Sequence, residues 1–172
     1  MKSRIATRMT GTLAPNFCLP SVRGRVCLSD YTGQRHVVLY FMPSFTSSRA
    51  WRGAIALGGL YDSLQARDTD VLVIGRGGYL GSATRLAAEL GLPFLFLSDT
   101  DGTVSRLYGL DEFGRGPPSA VTVLVDKQDI VRYLYLGATS GDVLDGAGLM
   151  SALECQGFYL PPAPSVDLCR PV

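Results

Sequence analysis

Apolar residues in this chain fall into short, unbroken runs separated by polar and glycine-rich stretches. "HVVLYFM" (36–42) and "DVLVIG" (70–75) are continuous runs of the kind that strands buried on both faces require. "FLFLSD" (94–99) is a shorter one. Ahead of them, "NFCLPSVRGRVCL" alternates instead. Phe17 and Leu19 on one side and Val26 and Leu28 on the other, about a turn containing Gly24, predict a β-hairpin. Between the runs the spacing becomes helical. Trp51, Ile55, Leu57, Leu60, Tyr61 and Leu64 predict a helix from about Ser48 to Ala66, weakened by Gly53, Gly58 and Gly59. "GSATRLAAELGL" predicts a short helix with Ser82 as its N-cap and Gly91 as its stop. "TVSRLYGL" reads as one or two helical turns, "LDEFGRGPPS" as a loop, and "AVTVLVDKQDIVRYLYLG" as a hairpin turning at "DKQD". "GDVLDGAGLMSALECQG" closes the pattern as a helix with Asp142 as candidate N-cap.

Strands alternating with helices, closed by an antiparallel hairpin, imply one α/β domain around a central mixed sheet with helices on its faces. The order fits a thioredoxin-like fold preceded by a β-hairpin. The boundaries expected are a flexible N-terminus (1–12), the domain itself (13–157) and a proline-rich C-terminal tail (158–172). A formal net charge of +1 offers no electrostatic reason to expect nucleic acid or an anionic membrane as partner. The opening "MKSRIATRMTGTLAP" has basic residues but no apolar segment, so no secretory signal is expected. No apolar run approaches the roughly 20 residues of a membrane span. The expectation is a cytoplasmic protein with reduced thiols. His36 is the single histidine and there is no C-x-x-C pair, so neither a metal nor a cofactor is expected.

Several stretches together carry a resemblance. "LAPNFCLPSVRGRVCLSDYTGQRHVVLYFMP" is similar to the opening of peroxiredoxins of the alkyl hydroperoxide reductase/thiol-specific antioxidant (AhpC/TSA) family, with its A-P-D-F-x-L, glycine turn and G-K-x-V-V-L-x-F-x-P. "LPFLFLSDTDGTVSRLYGL" resembles that family's L-P-F-x-x-L-x-D followed by V-x-x-x-Y-G-V, and "SAVTVLVDKQDIVRYLYLG" its closing hairpin. The likeness runs in order from about Ala14 to Gly137. It implies a thiol peroxidase site, P-x-x-x-T-x-x-C. There a proline shields a thiolate, a threonine hydroxyl positions the peroxide, a cysteine at a helix N-terminus attacks it, and an arginine on a later strand stabilises the thiolate. A helix dipole and a cation are what such a thiol needs, because its unperturbed pKa near 8.5 leaves it mostly protonated at neutral pH.

Laid on this chain, the proline is Pro43. The threonine slot falls on Ser47 and the cysteine slot on Ala50; with a loop one residue shorter, they fall on Thr46 and Arg49. The arginine slot falls near Ala120, with Pro117 and Pro118 offset from the proline that thioredoxin relatives carry there. No thiol stands at the site under either alignment. The reading is therefore of a non-catalytic or regulatory member acting by binding: a homodimer, a protein partner, or a small anion in the vacated pocket at Pro43–Ala50. Phe45, Trp51 and Tyr61 are the residues expected to form a contact surface.

The competing reading is a thiol oxidoreductase using the remaining cysteines. If Val22–Arg23 centres the first hairpin, positions summing to 45 face one another, and Cys18 and Cys27 do so. They are either two small residues on a half-exposed face or a redox-labile pair. Directly opposed β carbons lie about 4.5–5.5 Å apart, longer than the roughly 3.8 Å of a disulfide, so a bond there is expected to be strained and reducible. Cys155 and Cys169 flank the proline-rich tail and are either free thiols or a pair that staples the C-terminus or resolves a redox step. "VLVIGRGGYLGSATRL" has glycines at 75, 77, 78 and 81, but Leu80 breaks the G-x-G-x-x-G of a nucleotide loop. Asp99 and Asp101 are expected to be turn and cap residues rather than metal ligands, and His36 the leading residue of its strand.

Overall fold

A computed structural model describes residues 8–110, 120–137 and 143–155. A two-stranded hairpin, β1 (Cys18–Ser21) and β2 (Gly24–Cys27), precedes β3 (His36–Met42). Two helices, α1 (Ser48–Gly59) and α2 (Tyr61–Gln65), lead to β4 (Thr69–Gly75). Then come α3 (Leu80–Glu89), β5 (Leu95–Ser98), α4 (Thr103–Leu107), β6 (Ala120–Val125), β7 (Val131–Gly137) and α5 (Gly146–Glu154). The main sheet has the order β5-β4-β3-β6-β7, parallel across β5, β4 and β3 and antiparallel from β3 to β6 to β7. This is the mixed α/β sheet expected from the pattern, with its preceding hairpin.

The continuous apolar run of β3 has a direct explanation, since each face of that strand looks into a different core. Val38, Tyr40 and Met42 join the cluster under α1, α2, α3 and α5, with Ala50, Ala54, Leu57, Ala83, Ala87 and Leu149. Val37, Leu39 and Phe41 join the opposite cluster, built with Phe17, Leu19 and Leu28 of the hairpin region and with Val104 and Tyr108. β4 and β6 divide in the same alternation. A strand with no solvent face favours apolar side chains on both faces, and Thr69 of β4 and Thr122 of β6 are buried exceptions.

Three helix boundaries differ from expectation. The helix predicted over 48–66 is two helices joined at Leu60, whose backbone N–H closes onto Leu57 and Gly58. α3 starts at Leu80 with Tyr79 as N-cap, so Ser82 lies inside the helix rather than capping it. Its C-terminus is as expected. Gly91 takes φ +69, its N–H donates to Ala88 and that of Leu92 to Ala87, the paired bonds of a left-handed glycine stop. α5 is capped by Asp145, whose carboxylate accepts from the Gly148 N–H at 2.9 Å; Asp142 lies outside the described residues. So do Pro117, Pro118 and the loop expected around them. Ahead of the hairpin, the backbone of residues 11–14 hydrogen-bonds to that of 129–131.

Candidate functional site

The stretch between β3 and α1 is a closed set of local bonds. Ser44 Oγ accepts from the Thr46 N–H at 3.1 Å and shares a 2.8 Å hydrogen bond with the Thr46 hydroxyl. Ser47 Oγ accepts from the Ala50 N–H at 3.3 Å, which makes Ser47 the N-cap of α1. The Phe45 N–H donates to Gly77 at 2.8 Å, tying this loop to the one after β4. The Trp51 indole donates to the Phe45 carbonyl at 2.8 Å, and the Tyr40 hydroxyl to the Ala50 carbonyl at 2.7 Å. Burial pushes the Tyr40 pKa up, so that hydroxyl is a donor at every physiological pH.

Ala50 is completely buried, while Thr46 and Arg49 are exposed and Pro43 and Ser47 half-buried. Ala120 is also fully buried and belongs to the same core cluster as Ala50. The sequence positions singled out around the start of α1 thus split in two. Ala50 and Ala120 look into the core, and Thr46, Ser47 and Arg49 look outward.

The aromatic residues expected to form a contact surface do not form one. Phe45 and Trp51 are buried; Trp51 stacks on Phe96 with centroids 5.3 Å apart, and Phe45 leans on the same ring at 6.0 Å. Tyr61 is half-buried, edge-on to Phe94. Aromatic rings beside small residues are as well suited to a core as to an interface, and here β5 supplies the partners. The exposed apolar residues of this region are others: Tyr79, Leu86 and Leu90 on or beside α3, and Ile55 on α1. Of these, Tyr79 and Leu86 line a cavity of about 320 Å³ together with Phe45, Thr46, Gly78, Ser82 and Ala83. Sequence reading missed these exposed residues, although the i, i+4 pair Leu86 and Leu90 on the polar side of a short helix was a usable signal.

The glycines after β4 serve this packing rather than a nucleotide. A side chain at Gly75 would run into the Phe45 ring, and Gly78 at φ +90 lies against the Phe45 backbone and Cβ. Asp99 is fully buried, accepting from the N–H groups of Val104 and Ser105 and from the Ser105 hydroxyl. Asp101 accepts from the Thr103 N–H. Both hold the start of α4, the turn and cap duty expected of them. Among the described residues, no group of His, Cys, Asp and Glu could hold a metal, and no helix is long and apolar enough to cross a membrane. His36 opens β3.

In the first hairpin the register is the predicted one, with Cys18 opposite Cys27 and Leu19 opposite Val26. The two cysteines form a disulfide with Cα atoms 4.0 Å apart, which removes the alternative of two unlinked small residues. Cys155 is also disulfide-bonded and is not a free thiol; Cys169 lies outside the described residues.

Comparison with known proteins fits this architecture. The AhpC/TSA family profile matches residues 10–134. Peroxiredoxin 2 of Caldanaerobacter subterraneus is 26% identical over 171 residues, covering 94% of this chain and 77% of that protein. Among solved structures, reduced Plasmodium vivax 2-Cys peroxiredoxin superposes with a TM-score of 0.71 at 22% identity, over 87% of this chain and 82% of that one. A yeast mitochondrial 1-Cys peroxiredoxin gives 0.74 at 14% identity, over 86% and 76%. With the profile spanning most of the sequence and the thioredoxin-like sheet in place beneath it, the chain belongs to the AhpC/TSA family.

Proposed function

We propose that this protein has kept the peroxiredoxin fold without peroxide chemistry at the start of α1, and that it acts by binding through the groove between α3 and the loop that precedes α1. One observation carries the reading. Where the family resemblance calls for a thiolate, the chain has Ala50, buried and facing the core, and there is no cysteine anywhere between Cys27 and Cys155. Alanine cannot form a thiolate, a sulfenic acid or a disulfide.

The groove beside it supplies the surface. Among the described residues, four of the seven exposed large apolar side chains belong to α1 and α3 or the α3 caps, Ile55 on α1, Tyr79 at the α3 N-cap, Leu86 on α3 and Leu90 at its C-cap, a concentration that marks interaction sites more often than scattered apolar exposure does. The cavity lining has hydroxyls but no charged side chain, which suits an apolar occupant better than an anion. The occupant is a second copy of the chain. Tyr79, 84% exposed, stands next to a cavity that can take a ring, and a knob beside a hole on one surface is the self-complementarity that a two-fold dimer needs.

The test is sedimentation equilibrium over a concentration series, with a peroxide-consumption assay on the same protein in dithiothreitol. The expected result is a dimer that Leu86→Asp converts to a folded monomer, with peroxide loss no faster than in buffer and reductant alone. A monomer at all concentrations would overturn the binding face. Consumption proportional to protein concentration would overturn the non-catalytic reading and assign the chemistry to the remaining cysteines, Cys18, Cys27, Cys155 and Cys169.

A further inference from the structure

The Cys18–Cys27 disulfide is set apart from the rest of the fold in a way that gives it a chemistry of its own. β1 and β2 form a separate two-stranded sheet. Their inward face, with Leu19 buried and Val26 packed against the second core, holds the hairpin to the domain. Cys18 and Cys27 lie on the other face with Pro20 and Arg25, both exposed, and are themselves half-exposed. The Leu28 N–H donates to the Phe17 carbonyl, which makes Cys18 and Cys27 a non-hydrogen-bonded pair of the ladder. No backbone bond joins the two residues, so opening the S–S bond breaks no ladder hydrogen bond. The hairpin also stays anchored, because Phe17 meets the Tyr108 ring edge-on at 6.2 Å and the Tyr108 hydroxyl donates to Pro15 at 2.9 Å.

The two sulfurs are not equivalent. Cys27 caps the following turn, Leu28–Asp30. The Asp30 carboxylate accepts from the Cys27 N–H at 2.8 Å, and the Asp30 N–H points back at the Cys27 side chain. A thiolate released at Cys27 therefore has a backbone donor beside it, although the Asp30 carboxylate opposes its charge. It also lies two residues from Arg25 on the same face, and a cation stabilises a leaving thiolate. Cys18, the first residue of β1, caps no turn.

We propose that the hairpin disulfide is a thiol–disulfide exchange site that accepts two electrons from a protein dithiol of the C-x-x-C class, with Cys18 as the sulfur attacked. The first thiolate of the dithiol forms a bond to Cys18 Sγ, and the Cys18–Cys27 bond breaks with Cys27 leaving as thiolate. The second thiol of the partner, deprotonated, attacks its own sulfur in the mixed disulfide and releases Cys18. The partner ends as a disulfide, and its two protons end on Cys18 and Cys27. No other oxidant or reductant enters. The site lies on a different element from the start of α1, so it stands whether or not the binding reading does.

The experiment uses the full chain with thioredoxin, thioredoxin reductase and NADPH, followed by alkylation and peptide mapping under non-denaturing conditions. The expected result is one equivalent of NADPH consumed for each Cys18–Cys27 bond opened, both residues alkylated, and that equivalent lost in the Cys18→Ser/Cys27→Ser double variant. A thioredoxin whose resolving cysteine is replaced by serine is expected to be trapped on Cys18. Circular dichroism of the double variant, matched to that of the parent, keeps the comparison between folded proteins; dithiothreitol titration of the unsubstituted chain gives an independent reading. Reduction of this bond only after unfolding would make it a structural staple and overturn the proposal. Trapping on Cys27 would overturn the assigned order of attack.

Discussion

The hydroxyl of Tyr40 donates to the carbonyl of Ala50 at 2.7 Å, and a side chain at Gly53 would run into that same hydroxyl. A single tyrosine from the middle of the sheet thus satisfies a carbonyl in the first turn of α1 and sets how closely the helix approaches. Gly53, read from sequence as a defect in a helix, is the residue that permits this. Gly53→Ala gains helix propensity of about 1 kcal/mol but forces Tyr40 or the helix to move, and overpacking of this kind costs about 1–3 kcal/mol. The expected net result is destabilisation. Tyr40→Phe is expected to lose about 0.5–1.5 kcal/mol, the net worth of one hydrogen bond to a carbonyl that the helix itself still satisfies. Urea midpoints at constant m-value check both; a Gly53→Ala protein more stable than its parent would mean that the tyrosine does not set the helix position.

Elements that face two cores or alternate against one were legible in the sequence, because burial dictates their pattern directly. β3, β4 and the Cys18–Cys27 register are of this kind. What was not legible depends on contacts between elements. The break at Leu60 interrupts a run that reads as one helix. Tyr79 took the cap position expected of Ser82 because Gly78, at φ +90, turns the chain into α3 earlier than the hydroxyl suggests. At the candidate site, sequence located the start of α1 and the absence of a thiol there. It misassigned Phe45 and Trp51 to the surface, because the ring that buries them, Phe96, lies on β5, four elements beyond α1.

Asp99 is a carboxylate with no solvent exposure that accepts three hydrogen bonds from the first turn of α4. An amide in its place keeps the shape but has one acceptor oxygen and turns an NH₂ toward a donor. Hydrogen bonds to a charged group contribute about 1.5–3 kcal/mol each when lost singly, so Asp99→Asn is expected to destabilise by about 2–4 kcal/mol. Hydrogen exchange is expected to quicken first at the amides of Val104 and Ser105. Unchanged protection there would assign the α4 start to its backbone alone.

His36 opens β3 with its Nδ1 buried and without a hydrogen-bond partner. Burial, and then the Lys127 ammonium, lower its pKa, while Asp126 and Asp68 pull the other way. The folded chain therefore releases this proton more readily than the unfolded chain, whose histidine titrates near 6.5. As pH falls through about 6.5, the unfolded state takes up the proton first and stability drops; the loss levels off once the folded form is protonated too. Calorimetric Tm measured between pH 7 and 5 is expected to fall, and His36→Gln is expected to flatten that fall. A slope unchanged by the substitution would show that His36 is not the group responsible for it.

Placing a thiol at Ala50 tests the proposal that the start of α1 is non-peroxidatic, and whether that would follow from one atom or from the whole architecture. At Ala50 a cysteine side chain would enter the core cluster that holds Tyr40 and Ala120, with no solvent contact. Burial pushes a thiol's pKa up, while the helix N-terminus pulls it down within the first turn. If the arginine slot falls near Ala120, as the family resemblance implies, that slot supplies no cation to decide between them, and Ala120 is itself fully buried. Ala50→Cys, with the hairpin disulfide intact so that the new thiol reacts alone, is expected to react with hydrogen peroxide no faster than free cysteine. Adding Ala120→Arg is expected to lower Tm rather than raise the rate, since it forces a guanidinium into a site with no exposure. Competition kinetics against a known peroxide scavenger measure the first outcome. If Ala50→Cys alone reacts far faster than free cysteine, the fold has kept a working peroxide pocket and only the sulfur has been lost.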